Sequence, residues 1–413
     1  MTSTTTAPAV DLAEVDLTDP TWFRDGPPHE LFARMRAEAP IRWNETEHFG
    51  GFWALTRAAE IAAVSRDTAT FSSHAEGIFV QRDQVAPLDL VRAVLLYKDP
   101  PEHTKYRKIL QSAFVPATVA KMEDDVRAVV TRVLDEVIER GACDWTAEVA
   151  VRVPLLVLAE LMGIPEDDVP QLYEWTEQIE AAQRAIEPAQ AVETFMAMAM
   201  YLHEQVERQA AEGNDDSLVM RLRNAEVDGD TLADPEIMTF FALLVFAGND
   251  TTRNTTSGGM LALLEHPEEL EKLRRDPALI PQAVEEILRW TTVVNYFVRT
   301  ATADTELAGQ PIAAGEKVML WYASASRDEA SYEDPQRFDV TRAEHAHMAF
   351  GGGGRHFCLG AGLARLELRI IFEETVRRLH ELEQAGPAQR LASSWANGLT
   401  SLPIRFRPGA RVG

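Results

Sequence analysis

Cysteine is scarce in this chain of 413 residues, which contains two, Cys143 and Cys358, far apart in the sequence. So few cysteines argue against a disulfide framework and against a structural zinc site. Basic residues are also few: 40 lysines and arginines face 65 acidic residues, and the net charge is −25. This charge argues against nucleic acid and anionic membranes as partners of the whole surface.

Long apolar runs are missing as well. The longest, Met238 to Gly248, is far shorter than the roughly 20 residues that span a bilayer, so no membrane anchor is expected. The first ten residues, MTSTTTAPAV, lack the basic and apolar regions of a signal peptide. We therefore expect a cytoplasmic protein with a disordered tail over residues 1–14. No compositional break resembles a linker, so residues 15–413 are predicted to form one domain.

The spacing of apolar residues predicts a mainly α protein with small β-sheets. Apolar residues recur three and four positions apart through most of the chain, which is typical of amphipathic helices. Alternating or short apolar segments predict strands near 41–43, 52–55, 295–300, 306–308, 317–322 and 402–406. Predicted helices cover about 28–37, 57–64, 101–113, 117–139, 145–162, 167–185, 188–211, 235–265, 267–275, 279–290 and 358–382.

The stretch Phe350 to Gly362, FGGGGRHFCLGAG, joins four glycines to Cys358 and then begins a helical pattern. A cysteine thiolate can hold a haem iron on its axial side. Backbone N–H groups and the positive end of a helix stabilise such a charge, and glycines let the backbone come close to a flat cofactor. The alternative is a glycine turn before a helix, with Cys358 merely buried.

The middle of the predicted helix 235–265 reads FAGNDTTRN, from Phe246 to Asn254. Glycine, asparagine, aspartate and threonine are weak helix formers, and such a local conflict often marks a functional site. Asp250 beside Thr251 places an ionisable group next to a hydroxyl, which suits a proton relay. The alternative is a kinked core helix whose polar residues face solvent.

Two further groups of charged residues have both a functional and an ordinary interpretation. Glu286 and Arg289, three apart on a helix, usually form a surface pair, but with Arg337 in the turn DPQRF they would make a buried network. His103 and Arg107 share a helix face. Together with Arg299 and His356 they would neutralise two carboxylates on a flat cofactor, and the alternative is a solvated basic face.

Taken together, these motifs resemble the cytochrome P450 family, the haem-thiolate monooxygenases, over about residues 15–408. Four motifs occur in the family's order: AGNDTT, Glu-x-x-Arg, the Pro-x-Arg-Phe turn and the cysteine loop. The resemblance implies the single-domain P450 fold, a triangular prism with haem b between the central helix and the helix after the cysteine. It also implies dioxygen as co-substrate.

The resemblance implies a role for each matching residue. Cys358 corresponds to the axial thiolate ligand of the iron, and Asp250 and Thr251 to the acid–alcohol pair that supplies protons during oxygen activation. Glu286, Arg289 and Arg337 match the structural triad. Phe350 departs from the usual spacing, since it lies eight residues before the cysteine instead of seven. The positions implied in haem binding are His103, Arg107, Ala247, Gly248, Arg299, Phe350, Gly351, His356, Cys358 and Gly360.

The positions that match substrate-contacting regions are mostly apolar, which favours a hydrophobic substrate such as a steroid, terpenoid or fatty-acid-like lipid. The combination of FGGGG with AGNDTTRN is similar to bacterial members that hydroxylate steroids and methyl-branched lipids. The implied substrate-binding residues are Ile78, Phe79, Phe241, Leu244, Val245, Val293, Val294, Phe297 and Leu399.

The sequence carries no flavin domain and no iron–sulfur motif, so we expect electrons from a separate ferredoxin and ferredoxin reductase. A cationic cluster, Lys105, Lys108, Arg355 and Arg365, is predicted to dock that acidic carrier on the thiolate side. Two other functions remain open: a peroxygenase driven by hydrogen peroxide, and a non-catalytic haem-binding sensor. The Asp250–Thr251 pair counts against the peroxide route, which needs no staged proton delivery.

Overall fold

The computed structural model describes residues 10–46, 50–80, 92, 94–185, 188–213, 217–226, 229–343 and 346–413. The prediction of a mainly α protein with small sheets is confirmed. The described α-helices are α1 His29–Glu38, α2 Ala58–Arg66, α3 Glu102–Gln111, α4 Pro116–Val119, α5 Glu123–Ile138, α6 Arg152–Met162, α7 Val169–Ala185, α8 Pro188–Glu212, α9 Leu218–Arg223, α10 Asp234–Glu265, α11 Pro267–Arg275, α12 Ile280–Thr291, α13 Tyr322–Ala325 and α14 Ala361–Arg378.

The strands form one larger sheet and three small ones. The larger sheet has the order β1-β2-β8-β5-β3, with β2 and β8 parallel and the other pairs antiparallel. A three-stranded sheet has the order β4-β12-β9, and two hairpin-like pairs join β6 to β7 and β10 to β11. The strands are β1 Ile41–Asn44, β2 Phe52–Leu55, β3 Phe71–Ser72, β4 Ala142–Asp144, β5 Tyr296–Ala301, β6 Thr305–Leu307, β7 Gln310–Ile312, β8 Lys317–Trp321, β9 His380–Gln384, β10 Gln389–Arg390, β11 Leu399–Ser401 and β12 Pro403–Arg407.

Helix α10, 32 residues long, runs through the core and organises the helices around it. It begins with a proline in its first turn, and the Glu236 carboxylate accepts the N–H of Ala233 at 2.8 Å. Small residues let other helices approach closely. A Cβ on Gly259 would lie 2.6 Å from Ile287 of α12 and 2.8 Å from Phe372 of α14. Helices α12 and α14 are thereby packed against the half of α10 that follows its polar centre.

The predicted end of the last helix and the predicted disordered tail both need correction. The helix predicted to reach residue 382 ends at Arg378, because the chain turns at Leu379 and His380–Gln384 pairs with β12. Of the predicted tail, residues 1–9 lie outside the described residues. Leu12–Glu14 forms a short 3-10 helix capped by Asp11, and Val10 and Leu12 pack against the core. Residues 10–14 are therefore part of the folded structure.

Candidate active site

A large cavity lies between α10 and α14, with an empty volume of about 1700 Å³ that is partly open to solvent. One end is lined by the glycine-rich stretch and Cys358, and apolar side chains of α10 and of the segment before β5 line another part of its wall. The structure therefore brings the cysteine loop, the centre of α10 and most of the predicted substrate positions around one space.

Cys358 lies directly before α14, and its side chain has accessible surface because it lines the cavity. Its own N–H donates to the carbonyl oxygen of Phe350 at 3.1 Å, which closes the loop. Burial raises the pKa of the thiol, while the N–H of Gly360 and the positive charge of Arg107 oppose that rise. The groups around the sulfur thus lower the cost of a thiolate, although burial outweighs them and the thiol pKa stays raised.

Three of the four consecutive glycines have backbone angles that other residues rarely adopt: φ is +93° at Gly351, +89° at Gly353 and +74° at Gly354. Space is limited too. A Cβ on Gly352 would lie 2.3 Å from the Ser65 hydroxyl, and one on Gly354 would lie 2.3 Å from the Ser65 carbonyl oxygen. The loop is therefore held against the C-terminal end of α2.

Phe350 occupies the shifted position of the motif, and the structure shows what it contacts. Its ring lines the cavity and lies edge to face with Phe357, with centroids 6.1 Å apart. The guanidinium of Arg365 lies 4.5 Å from the centroid of the Phe350 ring. Glu285 accepts two hydrogen bonds from Arg365, at 2.6 and 2.9 Å, and so fixes that guanidinium over the ring.

The four predicted carboxylate-binding residues, His103, Arg107, Arg299 and His356, all line the cavity. The rings of His103 and His356 lie 4.3 Å apart. Both ring nitrogens of His103 are buried and find no partner among the described residues. Burial, helped by the neighbouring positive charges, lowers the pKa of His103 to about 4 and that of His356 to about 2. The two imidazoles are therefore neutral at pH 7, and the fixed positive charge of the group belongs to the two arginines.

The two members of the predicted proton relay are neighbours on α10, but Thr251 lines the cavity and Asp250 is buried beside it. Thr251 lines the cavity, and its hydroxyl donates to the Ala247 carbonyl one turn earlier at 2.7 Å. Asp250 is buried but is not among the described residues that line the cavity. Its Oδ1 accepts from Arg253 at 2.7 Å and from Asn254 at 3.0 Å. The structure thus brings the hydroxyl to the cavity and holds the carboxylate beside it.

The predicted triad needs a correction in its third member. Arg289 and Glu286 are fully buried and joined by two hydrogen bonds, at 2.6 and 2.7 Å. The third charge is Arg342, whose Nε lies 3.2 Å from Glu286 Oε2 and whose side chain is 6% exposed. The side chain of Arg337 is 58% exposed and lies 3.6 Å from Asp339. Arg337 contributes its carbonyl oxygen, which accepts from both Arg289 and Arg342.

Most predicted substrate positions line the cavity, and four do not. Ile78, Leu244, Val293, Val294 and Phe297 are lining residues, and so are the predicted haem-side positions Ala247, Gly248, Gly351 and Gly360. Phe241 and Val245 are fully buried in the helical core, away from the lining. Phe79 packs behind the wall against Phe297 and Trp395, and Leu399 lines a second cavity.

Sequence reasoning missed several lining residues that had a detectable signal. Phe240, Leu243 and Thr255 of α10 line the cavity, and they lie at helical spacing from Leu244 and Thr251. Glu367 of α14 is also a lining residue; it is 3% exposed, and burial raises the pKa of its carboxyl to about 8. The other lining residues of this cavity that sequence reasoning missed include Leu95, Leu96, Phe114, Leu158, Thr252, Leu288, Tyr322, Phe357 and Leu363.

Two of the four cations predicted to dock a ferredoxin already have carboxylate partners. Lys105 lies 2.7 Å from Asp230, and Arg365 is paired with Glu285. Arg355 is exposed and forms no ion pair with any residue that the structure describes. Of these cations, Arg355 therefore presents its charge most fully to solvent.

The comparisons with known proteins identify the family. The family model "Cytochrome P450" matches residues 179–404, more than half of the chain. The chain is 34% identical to a steroid C26-monooxygenase of Rhodococcus jostii, covering 95% of this chain and 84% of that protein. It is 37% identical to a methyl-branched lipid omega-hydroxylase of Mycobacterium bovis, with 97% of each chain covered. The chain therefore belongs to the cytochrome P450 family and is a monooxygenase.

A solved structure of a Mycobacterium marinum cytochrome P450 in complex with pseudoionone has the same fold. The two match with a TM-score of 0.84 at 36% sequence identity, over 97% of this chain and all of that one. This likeness confirms the P450 fold that the sequence motifs implied. Within the described residues, no helix combines the length and apolar character needed to cross a membrane.

Family membership implies a haem iron with a thiolate ligand, and the residues of the cavity suit that group. Cys358 offers its sulfur at one wall, and a coordinating metal deprotonates a thiol regardless of its raised pKa. The buried His103 nitrogens lack partners within the described residues, beside the cationic Arg107 and Arg299. Neutral N–H donors next to two guanidinium groups are the arrangement that a pair of carboxylates requires.

Proposed function

We propose that this monooxygenase hydroxylates a C–H bond of a hydrophobic small molecule of the steroid, terpenoid or fatty-acid-like class. Dioxygen is the co-substrate, and a separate ferredoxin and ferredoxin reductase supply the electrons. The observation that carries the substrate class is the apolar wall of the cavity, formed by Leu243, Leu244, Val293, Val294 and Phe297. Two relatives, a steroid C26-monooxygenase and a methyl-branched lipid omega-hydroxylase, support the same class.

In this proposal the chain's own residues have distinct tasks. Haem, when bound, supplies the centre that activates oxygen. Cys358 would hold the iron, and Arg107, Arg299, His103 and His356 would hold the carboxylates, since all five residues line the same cavity. The Thr251 hydroxyl, which lines the cavity and donates to the Ala247 carbonyl, passes a proton into the cavity in this proposal. The apolar wall excludes water and orients the substrate.

Spectral titration of the purified haem protein with steroids, terpenoids and fatty acids tests the substrate class. We expect saturable changes in the haem spectrum with at least one neutral apolar ligand, because such a ligand displaces water from the lined cavity. A reduced carbon-monoxide spectrum without the thiolate signature would contradict the assignment of Cys358. Cys358→Ser should lose that signature, while Cys143→Ser, a change at the buried cysteine, should keep it.

Replacement of Thr251 by alanine tests the proton route. We expect Thr251→Ala to consume reductant and dioxygen while forming several-fold less hydroxylated product, because the variant lacks the hydroxyl that faces the cavity. Thr239→Ala, which removes a half-buried threonine hydroxyl bonded back to the same helix outside the cavity lining, is the matched control and should keep the normal ratio. The measurement is product formed per reductant consumed.

One observation favours the peroxide-driven alternative, namely that Asp250 is held by Arg253 and Asn254 and does not line the cavity. A peroxygenase needs no staged proton delivery through such a carboxylate. Product formation with hydrogen peroxide alone, at a rate matching the ferredoxin-driven rate and unaffected by Thr251→Ala, would favour this alternative. Dependence on reductant and dioxygen supports the monooxygenase route.

A further inference from the structure

A second cavity lies beside the later half of α10, with an empty volume of about 650 Å³ that includes open solvent. Its wall is formed by the segment Asp25–His29, by α10, by the end of α12 and by the turn Asn397–Leu399. Two arginines, Arg327 and Arg390, also line it. Neither the proposed hydroxylation nor haem binding uses this space.

Arg327 is a buried cation without an acidic partner among the described residues. It is 4% exposed, and its hydrogen bonds go to neutral acceptors: the carbonyl oxygens of Trp290 and Pro335 at 3.3 and 3.4 Å, and the Gln336 amide oxygen at 3.2 Å. Its Nε finds no acceptor there. The guanidinium lies 3.6 Å from the centroid of the Trp290 ring. A buried cation is costly unless an anion balances it.

The nearest charged groups add to the excess of positive charge around Arg327. Burial lowers the pKa of Arg327 well below its ordinary value, and the positive charges of Arg289 and Arg342 lower it further. Glu286, which pairs with those two arginines, only partly offsets the effect. The base of the cavity is therefore positive.

The opposite wall adds a second unpaired arginine. Arg390 is half-buried, and its side chain makes no ion pair or hydrogen bond with the described part of the chain; its Nη1 would lie 3.2 Å from a Cβ on Gly26. His29 completes this wall, and burial and the charge of Arg327 lower its pKa, so that it is neutral at pH 7. The two acidic lining residues, Asp25 and Glu265, are exposed and form no ion pair with either arginine.

We propose that this cavity binds a small oxyanion, carrying a carboxylate or phosphate group, in the space that Arg327 and Arg390 line together. Guanidinium groups match the geometry of both oxyanions, and the buried position of Arg327 makes an anionic ligand the natural counter-charge. Asn254 and Asn397 also line this wall, but their amide nitrogens already donate to Asp250 and to the Thr291 carbonyl, so the two arginines carry the binding. The exposed carboxylates of Asp25 and Glu265 lie on the lining as well and weaken binding of the anion.

The site adjoins the larger cavity. Asn254 lines the second cavity and donates to Asp250. The N–H of Asn397 donates to the carbonyl of Val293 at 2.7 Å, and Val293 lines the larger cavity. The turn that carries Asn397 is therefore the segment whose amides should become protected when the anion binds.

The test titrates the purified haem protein with inorganic phosphate and, separately, with acetate, at constant ionic strength. We expect a saturable rise in thermal midpoint with at least one of them, and slower amide hydrogen exchange in residues 395–399. A phosphate-selective response identifies a phosphate group as the natural ligand, and an acetate-selective response identifies a carboxylate. If neither anion gives a saturable rise, the proposal is wrong.

Variants at the rim keep the test independent of the buried Arg327, whose replacement would disturb folding. Arg390→Gln should weaken binding about tenfold, the loss expected for one charge-assisted contact. Asp25→Asn should tighten binding about twofold, because it removes a repelling charge at the rim. Arg208→Gln, at an exposed position on α8 outside this lining, should bind like the unaltered protein. Equal affinity in Arg390→Gln and Arg208→Gln would overturn the proposal.

Discussion

Glu367 shows at the scale of one residue how burial changes chemistry in this site. Its carboxyl group faces the larger cavity from α14, and its Oε2 has no hydrogen-bond partner among the described residues. An ionised carboxylate would be costly there, and burial accordingly raises the pKa of Glu367 to about 8. The group is therefore mostly protonated and neutral at pH 7.

This raised pKa predicts a pH dependence of stability. An unfolded chain loses the Glu367 proton near pH 4.5, whereas the folded protein keeps it up to about pH 8. Between these values the folded state binds more protons than the unfolded chain. The contribution of Glu367 to the free energy of unfolding therefore falls as pH rises, by up to about 1.4 kcal/mol per pH unit. Below pH 4.5 the contribution is fully present.

Urea unfolding of the haem protein at pH 5.5 and at pH 7.5 measures this effect. Glu367→Gln cannot ionise and should lose less unfolding free energy between the two pH values than the unaltered protein does. Glu212→Gln, a change at an exposed glutamate at the end of α8, is the control and should follow the unaltered protein. An equal loss of unfolding free energy in all three proteins would show that folding does not raise the pKa of Glu367.

Single residues also show where sequence reasoning reached its limit. That Cys358, the glycines and the four basic residues meet around one cavity was predictable, because each belongs to a short motif with its own chemistry. Arg342 was not, because Arg337 and Arg342 both follow the same proline turn. The path of the backbone after that turn decides which guanidinium reaches Glu286.

At the scale of an element, α12 is attached to the segment 333–342 through one buried cluster of charges. Arg289 donates to the carbonyls of Ser326, Pro335 and Arg337, and Glu286 accepts the N–H of Asp339 at 2.9 Å. These bonds hold an irregular stretch with little secondary structure of its own. The cluster thereby fixes the chain that leads into the cysteine loop.

Replacing each arginine by methionine separates the two candidates for the third charge. Arg342→Met leaves Glu286 with one fewer partner in a buried site and should cost about 3 kcal/mol or more. Arg337→Met affects an exposed side chain and should change the free energy of unfolding by about 0.5 kcal/mol or less. Denaturant unfolding provides both values. A larger cost at Arg337 would show that the assignment of Arg342 is wrong.

Helix α10 shows which part of an element's role periodicity can predict. Phe240, Leu244, Ala247 and Thr251 lie on the face that lines the cavity, and the phase of that face follows from Thr251. Phe241 and Val245 lie about one residue further around the helix and are buried in the core. The prediction chose them as apolar positions that match substrate-contacting regions. Helical phase alone does not exclude them, because Gly248 and Thr252 share their phase and line the cavity.

At the scale of the whole molecule, a net charge of −25 disfavours the approach of any acidic electron carrier. Long-range repulsion works against such a partner, so docking depends on local positive charge that neighbouring carboxylates do not cancel. Lys105 and Arg365 are already paired, whereas Arg355 forms no ion pair within the described residues. Of the predicted docking residues, Arg355 is thus the one expected to matter most.

Charge reversal tests this expectation. Arg355→Glu should slow reduction by ferredoxin several-fold at low salt, and the loss should shrink as ionic strength rises. Arg208→Glu changes the net charge equally at a position on α8 and serves as the control. Equal rates for both variants in stopped-flow reduction would mean that net charge alone governs docking, and that Arg355 is no part of the contact.

The close contact between the glycine loop and α2 limits which positions of this enzyme can vary. In a library that samples all residues, we expect functional variants to keep glycine at 352 and 354, because a side chain there would collide with Ser65. We expect them to keep glycine at 351 and 353 because of the positive φ angles. The glycine loop beside Cys358 is therefore closed to variation. Leu95, Leu96 and Leu243 line the same cavity with ordinary side chains, so we expect new substrate preferences to arise through changes there while the glycines stay unchanged.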